Sequence, residues 1–223
     1  MTKQDPEIHV CDDWVSIAFA DRNMVLAAQH ALSTGDHWAE IVPGINTVAV
    51  QFDPALTSPE DASNIVRDQL TNAGKFDTNL RPEMVIPVCY DPQMAPDRQF
   101  VAKKLGIATE ALPSWHTSHA FDVAMIGFMP GFAYLEAHSP IPSLGRLSEP
   151  RQLVPAGSIG IIGRQSCIYS FDSPGGWPII GRTPLSLFNA ATSPPALLSA
   201  GQSVRFEAIS KDEFNDRAAE EQL

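Results

Sequence analysis

Apolar and polar positions alternate twice early in the chain. Val15, Ile17 and Phe19 alternate with Ser16 and Ala18, and Thr47 to Phe52 places Val48, Val50 and Phe52 on one side. A period of two predicts half-buried strands. Between them the period lengthens to that of a helix. Asp21 predicts an N-cap for a helix to about Ser33, with Met24, Ala28, Ala31 and Leu32 on its buried face. Trp38 to Val42 predicts a strand, and Pro43-Gly44 a turn. Ser58-Pro59-Glu60-Asp61 predicts a helix start, with Ser58 as cap, proline in the first turn and acids beside it. Ala62, Ile65, Val66, Gln69 and Ala73 continue the helical period until Gly74. A strand from Glu83 to Val88 follows. The order β-α-β-β-α-β predicts a ferredoxin-like α+β domain over residues 1–90.

Residues 91–120 predict a helical connector. Asp97 is expected to cap Arg98 to Leu105, which Gly106 ends, and Thr109 to cap a helix carrying Leu112, Pro113 and Trp115. From Phe121 the pattern changes to short apolar runs: Phe121–Ile126, Ser158–Ile162, Cys167–Tyr169, Trp177–Ile180, Leu185–Phe188 and Ser203–Ala208. Turn residues bound each run, which predicts a closed or nearly closed all-β unit over residues 121–210. Ser173-Pro174-Gly175-Gly176 suits a type II turn. Residues 211–223 form a charged tail, helical or frayed.

Composition narrows the function classes. The net charge of −11 and pI near 4.8 argue against nucleic acid or an anionic membrane as the main partner. Three widely spaced cysteines without a CxxC pair indicate neither a disulfide framework nor a zinc ribbon. The N-terminal MTKQDPEIHV lacks the apolar core of a signal peptide, so a cytoplasmic location is expected. His116 and His119 stand three apart, but no further histidine or cysteine supports a metal site, and none is expected.

Nine of the 14 glycines fall between Gly127 and Gly181, among Phe128, Phe132, Tyr134 and Trp177. There is no GxxxxGK[ST] phosphate loop and no GxGxxG. Ala156-Gly157-Ser158-Ile159-Gly160 nearly spells a nucleophile elbow, but a strand rather than a helix follows it. What remains is a glycine-lined surface with aromatic faces, three arginines (Arg151, Arg164, Arg182), and Gln165 and Tyr169 as hydrogen-bonding groups. It suits a small polar ligand bearing a carboxylate or an amide. Each of these residues equally has a structural reading, as salt bridge or core.

Three long segments carry a family likeness: GFMPGFAYL, EPRQLVPAGSIGIIGRQSCIY and SPGGWPIIGRTP. They resemble the KipI / PxpB family (the B subunit of 5-oxoprolinase, also described as allophanate hydrolase subunit 1-like), whose pattern is GFxPGFxYL, PRxxVPAGSVGIxGxQTGIYP and SPGGWxxIGRTP. His116-Thr117-Ser118 fits the same family. Cys167 and Ser170 depart from it, replacing glycine and proline, and the basic segment before Glu149 is thinner but keeps Arg146. The resemblance implies a cyclophilin-like β-barrel after the α+β domain. It further implies a subunit of an ATP-dependent 5-oxoprolinase that works with a PxpC/KipA-like and a PxpA-like partner and is inactive alone. Alternatives within the likeness are a KipI-like inhibitor of a histidine kinase and a carboxyltransferase subunit of urea carboxylase type.

Carried over, the resemblance marks His116 and Arg182 as catalytic candidates. Phe132, Tyr134, Arg151, Gly157, Ser158, Gly163, Gln165, Tyr169 and Trp177 become substrate-binding ones. In this reading Arg182 or Arg151 holds a carboxylate or phosphorylated intermediate. Gln165 with the amides near Gly157 and Gly163 polarises the lactam carbonyl. His116, with a pKa ordinarily nearest neutrality, is the acid/base.

Overall fold

A computed structural model describes residues 7–71, 83–142 and 144–221. The chain divides into two compact units, Met1–Leu80 and Arg81–Leu223.

The first unit is a four-stranded antiparallel sheet with two helices. Its strands are β1 (Glu7–Cys11), β2 (Trp14–Ala18), β3 (Glu40–Pro43) and β4 (Thr47–Gln51), in the order β1-β2-β4-β3. Helices α1 (Arg22–Leu32) and α2 (Pro59–Thr71) share one core with it, in which Val15, Ile17, Val48 and Val50 meet Val25, Ala28, Leu32, Ala62 and Val66. Both predicted caps form. The Met24 amide donates to the Asp21 carboxylate at 3.0 Å, and the Asp61 amide donates to Ser58 Oγ at 3.1 Å. Met24 itself is 48% exposed, so the buried face of α1 runs through Val25 instead. The predicted end of α2 at Ala73-Gly74 lies outside the described residues.

The predicted last strand of this unit belongs elsewhere. Residues Met84–Cys89 form β5, which pairs in parallel with β13 (Ser203–Ile209) in the second unit. Ile86, Val88 and Cys89 are all buried, as is Pro87 between them. Such an uninterrupted buried run suits a strand covered on both faces rather than one with a solvated side. The vacant edge beside β2 is filled by β1, a mostly exposed strand joined to β2 through Asp12 at φ 51°. The α+β class stands, but the first unit ends before residue 83 and its sheet is completed from the N-terminal side.

The second unit is a closed seven-stranded barrel. Its other strands are β6 (Ala120–Ile126), β7 (Ala133–Ala137), β9 (Ser158–Ile162), β10 (Gln165–Ile168) and β12 (Ile179–Arg182), in the order β10-β7-β6-β13-β5-β12-β9. Phe121, Val123, Leu135, Ile159, Ile161, Ile168 and Ile180 fill the main core. The predicted connector is part of this unit. Helices α3 (Arg98–Leu105) and α4 (Leu112–Thr117) bury Val101 and Leu112 in the same core. Asp97 precedes α3, but its side chain does not cap the helix. The tail forms helix α5 (Lys211–Glu220), capped by Ser210 and anchored by buried Phe214.

Two turn-rich stretches differ from expectation. Leu185–Phe188 is not a strand and makes one isolated bridge, Phe188 to Ala196. Ser173–Gly175 is not a type II turn but strand β11, paired with β8 (Arg151–Val154). Gly175 does not need a positive φ; it is glycine because a Cβ there would overlap the Tyr169 hydroxyl.

Candidate functional site

Strand alternation sends Ile159, Ile161 and Ile168 into the barrel and leaves Tyr134 and Cys167 on its outer face. There a second, smaller core forms from Phe132, Val154, Cys167, Tyr169, Trp177 and Ile179, with Met129, Tyr134 and Ile162 against it. Its rings are close. Phe132 lies 4.8 Å from Tyr134 and 5.0 Å from Tyr169, and Tyr134 lies 6.1 Å from Trp177 between centroids. Phe132, Tyr169 and Trp177 are buried, whereas Tyr134 keeps part of its ring open. Phe128, at φ 75°, stands 67% exposed beside Phe132. A bulky residue in the left-handed region is uncommon, and here it lifts an aromatic ring off the rim of the patch.

The electrostatics of this face are those of protonated groups. Burial, with Cys167 adding and Arg146 opposing, raises the Tyr134 phenol above its ordinary value. Burial likewise raises Tyr169 and the Cys167 thiol. Tyr134 is therefore a hydrogen-bond donor at neutral pH, and Cys167 is a packed thiol rather than a nucleophile. It is packed tightly: a Cβ on Gly160 would stand 2.8 Å from its sulfur and 3.0 Å from Trp177 Cβ.

Five of the predicted residues thus meet on one side of the barrel: Phe132, Tyr134, Tyr169 and Trp177 in the cluster, with Gln165 two residues before Cys167 on β10. The others do not join them. His116 is 0% exposed, in the main core. Its ring stacks on Phe206 at 4.3 Å, and its Nδ1 lies 2.6 Å from the Tyr90 hydroxyl. Burial holds Tyr90 protonated, so its O–H donates to Nδ1 and the ring proton stays on Nε2, which has no partner. The opposite tautomer would leave the phenol proton unpaired as well. Burial, with His119 adding, pushes the His116 pKa down to about 3. The acid/base assignment is therefore corrected: a core imidazole held neutral neither reaches a ligand nor titrates near neutrality. His119 Nδ1 lies 2.7 Å from the Trp115 carbonyl oxygen.

Arg151 and Arg182 both have partners within the protein. Arg151 Nη2 donates to Asp97 Oδ1 at 2.7 Å, and Asp97 Oδ2 accepts the Ile179 amide at 2.7 Å. This ties β8 to the start of α3 and to β12, a structural task. Arg182 Nε donates to the Ala156 carbonyl at 2.7 Å, with the guanidinium 5.9 Å from the Phe214 ring. Arg164 is mostly exposed, 3.9 Å from Glu136.

The proposed carbonyl-polarising amides are occupied. Gly157 N–H donates to Tyr169 O at 2.7 Å, and Gly163 N–H donates to Leu144 O at 2.9 Å. Gly157 has φ 79°, and a Cβ on it would overlap the Thr183 carbonyl, so it is glycine for the turn. Ser158 is 2% exposed at the start of β9, where its carbonyl accepts the Tyr169 amide at 3.0 Å. The elbow context is absent, as its flanking pattern predicts. Sequence reasoning passed over Arg146 as a site residue. It sits in a segment without periodicity, and only its charge, which lowers the pKa of Tyr134, Cys167 and Tyr169 against the larger effect of burial, marks it.

The second unit is thus a closed barrel carrying an aromatic, partly open outer face. No helix among the described residues is long and apolar enough to cross a membrane. The chain belongs to the family described as carboxyltransferase domain, subdomain C and D, which it matches over residues 10–198. It is 36% identical over 187 residues to the B subunit of 5-oxoprolinase from Bacillus subtilis (strain 168), covering 79% of this chain and 78% of that protein. It is 42% identical over 174 residues to the B subunit of 5-oxoprolinase from Haemophilus influenzae, covering 75% of this chain and 78% of that protein. Its fold is similar to that of the Kluyveromyces lactis urea carboxylase, with a TM-score of 0.72 over 95% of this chain and 22% of that one. At 17% identity that likeness is one of fold alone.

Proposed function

We propose that this chain is the B-type subunit of a 5-oxoprolinase. In this reading the assembled enzyme opens the lactam of 5-oxo-L-proline to L-glutamate at the expense of ATP. Its other parts are a PxpC/KipA-like and a PxpA-like subunit. The observation that carries it is the identity to relatives named as that subunit, 36% and 42% over three quarters of both chains.

The aromatic face supplies what a planar lactam needs. Phe132 and Trp177 pack beneath it as buried support, and the partly open Tyr134 O–H is a protonated donor for the lactam carbonyl. ATP fits the glycine turns poorly, because the Gly157 and Gly163 amides already serve protein carbonyls. Phosphate binding is accordingly assigned to residues of the assembled complex outside these turns. With His116 buried in the core, the acid/base group is assigned to a partner subunit, and this chain by itself is expected to be inactive.

The test mixes the purified chain with its two partner subunits and follows glutamate formation and ATP hydrolysis. Both should require all three subunits and 5-oxo-L-proline. ATP hydrolysis indifferent to 5-oxo-L-proline, or activity that survives omission of this chain, refutes the reading.

A further inference from the structure

Arg146 lies on the segment that joins β7 to β8, and that segment is tied down on both sides of it. The Leu144 carbonyl accepts the Gly163 amide at 2.9 Å, and the Leu147 amide donates to the Gly176 carbonyl at 2.8 Å. Leu144 is 2% exposed, within the main core. One anchor is therefore the β9–β10 turn, and the other is the residue preceding Trp177. Gly163 follows Ile162 and Gly176 precedes Trp177, both of the aromatic cluster, so the backbone holds Arg146 beside that face.

Arg146 itself is exposed, and among the described residues no ion pair holds it. Its charge acts on Tyr134, Cys167 and Tyr169, three titratable groups of that face. Each neighbouring arginine already has one protein partner: Arg151 Nη2 donates to Asp97, and Arg182 Nε donates to the Ala156 carbonyl. A guanidinium whose backbone is held beside a half-buried phenol, without a carboxylate of its own, offers a planar fork to one from outside.

We propose that Arg146 is the anion-holding side chain of the aromatic face, taking the carboxylate of a small ligand whose amide end rests against Tyr134. The identity of that ligand as 5-oxo-L-proline rests on the function proposed above; the charge it must carry does not. This places recognition of the carboxylate on Arg146 instead of Arg151 or Arg182.

Two experiments test it. In the assembled complex, Arg146→Gln should raise KM for 5-oxo-L-proline by about ten- to hundredfold, the range of a charge-assisted hydrogen bond, with the larger part of the loss in KM and not in kcat. Arg146→Lys should recover part of that loss. An unchanged KM overturns the proposal. In the full chain alone, phenylglyoxal modification of Arg146, located by peptide mass spectrometry, should be slowed by 5-oxo-L-proline, L-glutamate or L-proline and not by 2-pyrrolidinone, the same lactam without its carboxylate. If the complex does not consume 5-oxo-L-proline, the proposed function fails and the labelling decides alone. Protection by any of these carboxylates without protection by 2-pyrrolidinone then sustains the Arg146 assignment. Absence of carboxylate protection, or equal protection by 2-pyrrolidinone, overturns it.

Discussion

Acidification should act on the barrel unit through His116. The imidazole is fully buried and held neutral, with a pKa of about 3 against 6.5 for an unperturbed histidine. The folded pKa is depressed, so the unfolded chain binds the proton first. Stability is complete above pH 6.5 and falls as pH drops through the window between 6.5 and 3. Each pH unit within that window costs about 1.4 kcal/mol. The loss attributable to His116 is then about 0.8 kcal/mol at pH 6 and about 2 kcal/mol at pH 5. Burial is the larger cause of that depression, and repulsion from His119 the smaller one. The assay is urea unfolding of the wild type and His116→Phe between pH 7.5 and 5. The variant loses the Tyr90 hydrogen bond at every pH, a constant offset of about 1–3 kcal/mol. The informative quantity is the pH dependence of the difference, in which the other histidines largely cancel. The wild type should lose about 2 kcal/mol relative to the variant on going to pH 5. A difference that stays flat refutes the reasoning, because His116 would then ionise as readily folded as unfolded.

Other expectations are more local. Arg151→Met should destabilise by about 3 kcal/mol, since it strands the Asp97 carboxylate at the start of α3; adding Asp97→Asn should recover part of the loss in thermal melts. Gly157→Ala should cost at least about 1–2 kcal/mol, from its positive φ and the overlap with the Thr183 carbonyl; a neutral change in urea midpoint would contradict the turn geometry. Of the three thiols, Cys11 alone should react with a thiol reagent in the native protein, whereas Cys89 and Cys167 should react only once denaturant is added.

Local chemistry was legible wherever a residue interacts with its own neighbourhood. Asp21 and Ser58 cap their helices as their spacing predicts, and Val15, Ile17, Val48 and Val50 face one core. Strand β1 was missed because its side chains are mostly exposed and carry no alternating signal; the hint was Asp12, a residue tolerant of the left-handed region. Strand β7 was hidden in the GFMPGFAYL motif, where the glycines and proline suggest turns more strongly than Ala133 to Ala137 suggest a strand. The site was legible in part. The aromatic residues were named from composition and motif, and they do cluster.

The sequence by itself determined two units, their α+β character, a β-rich second half and the family, because periodicity, caps and long motifs are local properties of the chain. Only the tertiary structure decided that Met84–Cys89 joins the barrel, since an apolar run does not name its partner and the parallel pairing with β13 spans more than a hundred residues. Only the tertiary structure, too, buried His116 in the core and gave Arg151 the Asp97 carboxylate and Arg182 the Ala156 carbonyl as partners. A charged or titratable side chain has the same formula whether it meets solvent, a core or a carboxylate, and distant parts of the chain decide which of these it meets.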